Sequence, residues 1–456
     1  MNPSLNGAWR RWVFNADHEQ LQTAKGVTVD ELRVAELLGK TPPGPVMDLI
    51  ELVAAIHLVD RAERRPRGTK PGDSWSRRLH LVMGVRESQW WSDPTIHDQL
   101  AGLLRSLTDD EWLVEFVPRV APERPAECVQ FLFQSAPGGD VVALFSGGLD
   151  SLAGLAADVI EGATPLALSV ESNSRVAKSQ REVLNTFNRG LGTSIVRAPI
   201  ELHLKSAPAL ERSQRARGFG FLAFAAALAA LASHDTVHVY ENGIGAINLA
   251  YTPAQTGAHG TRAMHPETLA KATQLFSLVL GHQLTVVNRS QYLTKAEMCA
   301  VLPYALRSAI GVTESCDTAF AYRGSGPPSC GRCTSCLLRR QALAAAGLSD
   351  LDPSSNYRLD AFAVPSTMAE PPYELRAMLS QAARLHRALG ADSTSPWPRL
   401  IREFPDLVRA AQALRVTPKT NPEVAVTDLL RRYVKEWEAV PSPLVASYLG
   451  HGQAAA

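Results

Sequence analysis

The chain has 456 residues, 45% hydrophobic and 20% charged, the composition of an ordinary globular protein with room for about two to four domains. Its 46 basic and 45 acidic residues leave a net charge of +1, so no global field directs it to nucleic acid or to an anionic membrane surface. Residues 1–7 have no basic stretch leading into an apolar core, and the one long apolar run, 219–232, is mostly alanine and too short for a bilayer, so a cytoplasmic protein is expected.

Residues 1–135 read as a separate mixed or β-rich unit. The pattern predicts an amphipathic helix over 47–59, a charged loop over 61–72, and strands over 78–85, 111–118 and 127–134. Trp75, Trp90, Trp91 and Trp112 are expected in its core, as is Cys128 in the alternating run. Pro137-Gly138-Gly139-Asp140 is a turn, and nothing before it forms a catalytic constellation.

Val141-Val142-Ala143-Leu144-Phe145 is a short apolar run suited to a buried strand, and it leads directly into Ser146-Gly147-Gly148-Leu149-Asp150-Ser151. A helix should follow, with Leu152, Leu155, Ala156 and Val159 at helical spacing and Asp150 or Ser151 as its cap. Free N–H groups and the positive helix end then converge above the strand as an anion cradle. This loop lacks the lysine of GxxxxGK[ST], which in Walker loops reaches the terminal phosphates.

From 141 to about 350 strands alternate with helices. The strands are expected at 165–170, 194–199, 236–240 and 284–288, and the helices at 176–189, 219–232, 266–281 and 294–302. That order predicts an α/β fold with a doubly wound parallel sheet, whose ligands bind beyond the carboxyl ends of the strands. Polar residues collect there: 146–151, Glu171-Ser172-Asn173 and Glu241-Asn242-Gly243. Of the six cysteines, Cys316, Cys330, Cys333 and Cys336 are spaced C-x13-C-x2-C-x2-C, a set able to close a tetrahedral shell around Zn²⁺ with no place for a catalytic water, hence a structural site. Cys299 is expected in the core. Beyond Asp352-Pro353-Ser354-Ser355, residues 351–456 read as a helical extension with helices at 373–389, 397–414 and 424–437, suited to docking or to lining the substrate approach, and with disorder expected over 451–456.

The Ser146–Ser151 loop resembles the PP-loop of the N-type ATP pyrophosphatases, proteins of the adenine nucleotide alpha hydrolase-like fold. There the loop holds the β- and γ-phosphates as a leaving pyrophosphate while a carboxylate attacks the α-phosphate. Taken with Arg217, Leu293-Thr294-Lys295-Ala296-Glu297, Ser315-Cys316, the cysteine run from Cys330 to Cys336 and Arg339, the chain resembles the 7-cyano-7-deazaguanine synthase (QueC) family over about residues 140–350. The resemblance implies a ligase or synthase that adenylates a 7-carboxy-7-deazaguanine-like substrate, forming AMP and pyrophosphate from ATP with Mg²⁺ and keeping Zn²⁺ as a structural metal. The substrate-wall segments differ from the synthase pattern: Glu241-Asn242-Gly243-Ile244-Gly245-Ala246-Ile247-Asn248-Leu249, then Thr261-Arg262-Ala263-Met264-His265-Pro266. With the extensions on both sides, they look like the QueC-like subgroup of bacterial anti-phage operons, the QatC proteins of the Qat system, which implies a partner protein encoded alongside.

Carried onto this chain, the resemblance assigns Ser146, Gly147, Gly148, Leu149, Asp150 and Ser151 to pyrophosphate, with Asp150 available to cap the helix or reach Mg²⁺. Lys295 would bring positive charge to the α-phosphate, the alternative being a solvated lysine. Arg217 would neutralise phosphate or substrate carboxylate, or belong with Arg212 and Arg215 to a solvated loop. Ser172, Asn242, Gly243, Arg262 and His265 are pocket candidates, His265 equally a structural residue at a helix start. The nitrogen nucleophile is either ammonia, giving the nitrile, or an amine of a partner protein. A non-catalytic nucleotide-sensing subunit is the alternative of another class, and thiolation of a nucleic acid would need a reactive cysteine near the strand ends, for which Cys299 is the loose candidate. With every adenylation motif between 146 and 295, the flanking units are expected to select the acceptor.

Overall fold

A computed structural model of the chain describes residues 9–17, 22–23, 26–66, 75–131, 139–204, 209–252, 262–363, 371–390, 395–414 and 421–450. The strands are β1 (Arg10–Phe14), β2 (Gln22–Thr23), β3 (Val27–Val29), β4 (Arg78–Val85), β5 (Glu111–Pro118), β6 (Val141–Leu144), β7 (Pro165–Glu171), β8 (Arg197–Leu204), β9 (Thr236–Val239) and β10 (Thr285–Asn288). The helices of the first half are α1 (Leu32–Leu38), α2 (Gly44–Ala62), α3 (Ser88–Trp91), α4 (Pro94–Thr108), α5 (Pro125–Cys128), α6 (Leu149–Ile160), α7 (Ser174–Leu191) and α8 (Arg217–Ala232). There follow α9 (Gly243–Ile247), α10 (Pro266–Leu280), α11 (Lys295–Ala300), α12 (Thr334–Ala345), α13 (Tyr373–Leu389), α14 (Trp397–Glu403), α15 (Asp406–Leu414), α16 (Pro422–Glu436) and α17 (Pro443–Gly450).

The central sheet has the order β10-β9-β6-β7-β8-β3, parallel throughout except for β3, which runs antiparallel to β8. Counting β6 as the first strand, the order is 5-4-1-2-3, so the direction of building reverses between β6 and β9. Side chains alternate along each strand and feed two cores. Val142, Leu166, Leu168, Val237 and Val239 join a cluster with α8 and α2, while Ala143, Phe145 and Ala167 meet Leu152 and Leu155 of α6 and Val183 and Phe187 of α7. Helices therefore cover both faces, as the alternating pattern predicted.

The amino-terminal strands form a second sheet, β2-β1-β4-β5, with every pairing parallel. Its core is continuous with one face of the central sheet. α2 is buried at every residue from Val46 to Ile56 and lies in the same cluster as β4 and α8, so it is covered on all sides rather than on the one face expected of an amphipathic helix. The acids it buries are paired: Asp48 and Glu51 with Arg86 at 2.7 and 2.8 Å, and Asp60 with Arg77 at 2.5 Å. Each of these carboxylates would be costly without its arginine. The carboxyl-terminal helices close around Tyr433 and Trp437, and their core takes in Leu337 and Leu338 of α12, Ile247 at the end of α9 and Leu249 just beyond it.

Several local expectations change. No strand forms over 127–131; Pro125 starts the short α5, and Glu127 accepts the Arg124 N–H at 2.7 Å and ion-pairs with Arg86 at 2.5 Å, so local capping overrides the alternation. Cys128 is consequently exposed, whereas Cys299 is buried. Trp91 and Trp112 are core residues, but Trp90 is 42% exposed and Trp75 lies between the guanidinium groups of Arg65 and Arg215, 4.3 and 4.5 Å from its ring. The expected helix over 397–414 is two, α14 and α15, broken at Phe404-Pro405 because proline removes a helical donor. Residues 132–134, Pro137-Gly138, Thr261 and 451–456 lie outside the described residues.

Candidate active site at the switch point of the central sheet

β6 hands the chain to the loop while Phe145 N–H still bonds to Leu168 O at 2.8 Å. Gly147 then has φ +77°, and a Cβ there would lie 3.2 Å from Cα of Gln180, so both backbone and neighbour call for glycine. The N-cap of α6 is Gly148, without a side-chain cap, so neither Asp150 nor Ser151 caps the helix. Ser146 Oγ instead accepts Gly148 N–H at 3.3 Å and donates to Ser151 Oγ at 3.2 Å, and Ser151 Oγ donates to Gly148 O at 2.9 Å. The first-turn N–H groups of α6 have no helical acceptor and stand above the carboxyl end of β6, the geometry of an anion cradle.

Asp150 is free of the cap because it is engaged across the switch point. One oxygen receives the ammonium of Lys295, and the other accepts Asn242 Nδ2 at 2.8 Å and Asn242 N–H at 3.4 Å. Lys295 is presented at the start of α11, where Thr294 and Glu297 form a reciprocal capping box, Glu297 N–H to Thr294 Oγ1 at 3.1 Å and Thr294 N–H to Glu297 Oε2 at 2.8 Å. Side-chain exposures of 9% and 12% make this a buried ion pair. Burial opposes ionisation of Asp150, but the charge and hydrogen bond of Lys295 outweigh it and hold the carboxyl below its usual range. Burial likewise works against the Lys295 ammonium, and Asp150 and Glu241 more than compensate, raising it. Glu241, beside them, is the reverse case: burial and then the Asp150 charge push it up to about 8, with Lys295 opposing.

These groups open into a cavity of about 570 Å³. Ser146, Gly148, Leu149, Asp150 and Lys295 form its floor, and Tyr240, Glu241, Asn242 and Gly245 one side. Asp317, Thr334 and Ser335, interleaved with the cysteines, form another, and Arg262, His265, Asp406 and Arg409 stand in the remaining wall. His265 is the N-cap of α10, its Nδ1 accepting Glu267 N–H at 3.2 Å. Burial pushes it down to about 4, so the ring is neutral at pH 7 with its proton on Nε2. Arg262 is held by Asp109 at 2.9 Å and Arg409 by Glu267 at 2.8 Å.

The predicted site residues thus separate into two groups. Ser146, Gly148, Leu149, Asp150, Asn242, Arg262, His265 and Lys295 line one cavity, and Gly147 and Ser151 shape its loop from behind. Gly243 stands under it, where a Cβ would come within 2.4 Å of Gln291 O. Ser172 is exposed and outside the lining, and the Arg217 guanidinium rests 4.9 Å from the Phe221 ring near Arg61 and His57 of α2. Glu241 was visible in the sequence only as a polar residue after a strand. Asp406 and Arg409 carried no signal, because only the packing of α15 on α10 brings them to the cavity.

The second centre is the cysteine cluster. The Sγ atoms of Cys316, Cys330, Cys333 and Cys336 all lie within 4.8 Å of one another, close to the separation of about 3.8 Å that Zn–S bonds of about 2.3 Å impose on a tetrahedron. Cys330 N–H points to Cys316 Sγ and Cys333 N–H to Cys330 Sγ, each at 3.3 Å, which suits sulfurs that carry charge. Gly331 turns with φ +77° where a Cβ would lie 1.9 Å from Leu359 O. Arg339 is buried below, donating to Asp352 at 3.1 Å and to Thr313 Oγ1 at 2.7 Å. The donor set fits zinc. Cys299 does not belong to it, and burial pushes that thiol up to about 12, far from a reactive thiolate.

No family model and no curated protein matches this chain. Among the described residues no helix is long and apolar enough to cross a membrane.

Proposed function

We propose that this chain is an ATP-dependent, AMP-forming enzyme of the PP-loop class that adenylates the carboxylate of a 7-deazaguanine and transfers the activated acyl group to nitrogen. The supporting observation is the lysine-free loop 146–151 at the reversal of strand order, with a buried lysine of the cavity, Lys295, supplied from a different segment. A loop without its own lysine cradles a leaving pyrophosphate through N–H groups and hydroxyls. A lysine entering from the side meets the α-phosphate, where charge grows as the carboxylate attacks. Mg²⁺ would arrive with the nucleotide. Arg262, His265 and Arg409 supply donors on the opposite wall, where the heterocycle would lie. The cavity volume of about 570 Å³ is of the size that small-molecule sites use.

The resemblance to the QueC-like proteins of anti-phage operons extends this reading to a defence setting, with an amine of a partner protein as acceptor. The high pKa of the Cys299 thiol weighs against a thiolation chemistry. The deciding experiment supplies purified chain with ATP, Mg²⁺ and 7-carboxy-7-deazaguanine and follows exchange of labelled pyrophosphate into ATP. Acid-dependent exchange, with AMP as product once a nucleophile is added, is the expected result; ADP and orthophosphate would overturn it.

A further inference from the structure

The activation step gives work to Lys295 and the loop but none to Glu241, the carboxyl group that lies beside Asp150 in the cavity. Its position is strictly constrained. Asn242 Oδ1 accepts Gly245 N–H at 2.9 Å, which fixes the amide so that Nδ2 must face the acids, donating to Asp150 Oδ2 at 2.8 Å and to Glu241 Oε1 at 3.0 Å. Glycine at 245 leaves the space that the carboxyl occupies, since a Cβ there would lie 2.0 Å from Glu241 Oε1. The carboxyl also meets the Asp150 side chain, and Glu241 lines the cavity. Glu241 is therefore positioned by Asn242 and Asp150 at the cavity surface, beside the ion pair that marks the activated end of the substrate.

We propose that Glu241 is the proton acceptor for the nitrogen nucleophile in the transfer step. This rests on the activation reading above and adds to it the group that makes the second half-reaction possible. An ammonium ion has no lone pair with which to attack. As carboxylate, Glu241 removes one N–H proton; the freed lone pair forms the C–N bond to the acyl carbon. The bond from that carbon to the AMP oxygen breaks, its electron pair leaving on the phosphate, and the second N–H proton released as the amide forms passes to water at the cavity mouth. Asp150 cannot serve, because Lys295 and Asn242 occupy its oxygens. The charged and titratable groups facing Glu241 are Asp150 of α6, Lys295 of α11 and Tyr251. Their balance leaves it weakly basic, pushed up to about 8, close to the range of about 7.7–8.0 for the α-amine of a protein. A base matched to its acid is the efficient arrangement.

Glu241→Gln preserves shape and the neutral resting form while removing the base. The test gives this variant and the unaltered chain ATP, Mg²⁺ and 7-carboxy-7-deazaguanine, and measures pyrophosphate exchange and then product formation with ammonia or with hydroxylamine, which is already unprotonated at pH 7. Exchange and hydroxylamine capture should stay within about threefold of the unaltered chain, while the reaction with ammonia falls by roughly 10²-fold or more, the usual share of general base catalysis. Equal losses with both nucleophiles would make Glu241 a structural residue, and no loss with ammonia would make it a bystander; either overturns the proposal. Failure of the unaltered chain to exchange pyrophosphate is the separate failure of the activation reading, and this inference would go with it.

Discussion

Replacing Lys295 with methionine tests whether the cavity is as enclosed as its geometry states. Methionine matches the aliphatic stem but leaves the Asp150 carboxylate, 12% exposed, with the two Asn242 donors at 2.8 and 3.4 Å and the Glu241 carboxyl as its neighbours. Removing one partner of a buried pair destabilises by about 3–5 kcal/mol, and the remaining hydrogen bonds place this case near the lower end, about 3 kcal/mol. The assay is urea unfolding followed by tryptophan fluorescence at neutral pH, where a denaturant slope of about 3 kcal/mol/M or more converts the loss into a midpoint shift of roughly 0.5–1 M. Without lysine, burial raises the Asp150 pKa, so the deficit should shrink at about pH 4 as the carboxyl takes up a proton. Asp150→Asn combined with Lys295→Met should recover about 2 kcal/mol of it, because the stranded charge is gone. A deficit under about 0.5 kcal/mol, or strictly additive single effects, would mean that water screens the pair and that the site is open.

Cys333→Ser should bring metal content, measured by atomic emission, below one zinc per chain and lower the yield of soluble protein, because a closed thiolate shell contributes folding energy; folded variant with full zinc would contradict the assignment. Glu241→Gln should be the more stable form at about pH 8 and lose that advantage towards pH 4.5, since a carboxyl raised to about 8 contributes stability below its unfolded value and loses it as pH rises through about 8. Calorimetry of the pair across this range checks the sign. His57 and His265 act oppositely, both pushed by burial to about 4 from 6.5, so their contribution is full above about 6.5 and fades as pH falls towards 4. Arg409→Ala should raise the KM for the acid in pyrophosphate exchange by about tenfold with little change at saturation, because this arginine lines the cavity without touching the loop; an unchanged KM would return the carboxyl-terminal helices to acceptor selection alone.

Features that rest on neighbours along the chain are legible in the order of residues alone. A run such as Val141–Leu144 must be a buried strand, Gly147 must turn with positive φ, Thr294 and Glu297 must cap a helix, and cysteines three apart around Gly331 must form a metal-ready knuckle. Each is decided within a few residues, so alternation and spacing suffice. Long-range pairing, by contrast, follows from the packing of the folded chain. That packing put β3 on the edge of the central sheet, joined the amino-terminal sheet to the same core through α2, and drew Asp406 and Arg409 into the cavity above the distant 146–151 loop. It also separated Arg217 from the loop that its type and position suggested, because α8 buries its first turn against α2. Charge alone does not say which anion an arginine will face; only packing does, and for Glu241 it is burial, and then the neighbouring Asp150 charge, that raises the pKa of an ordinary acid at a strand end.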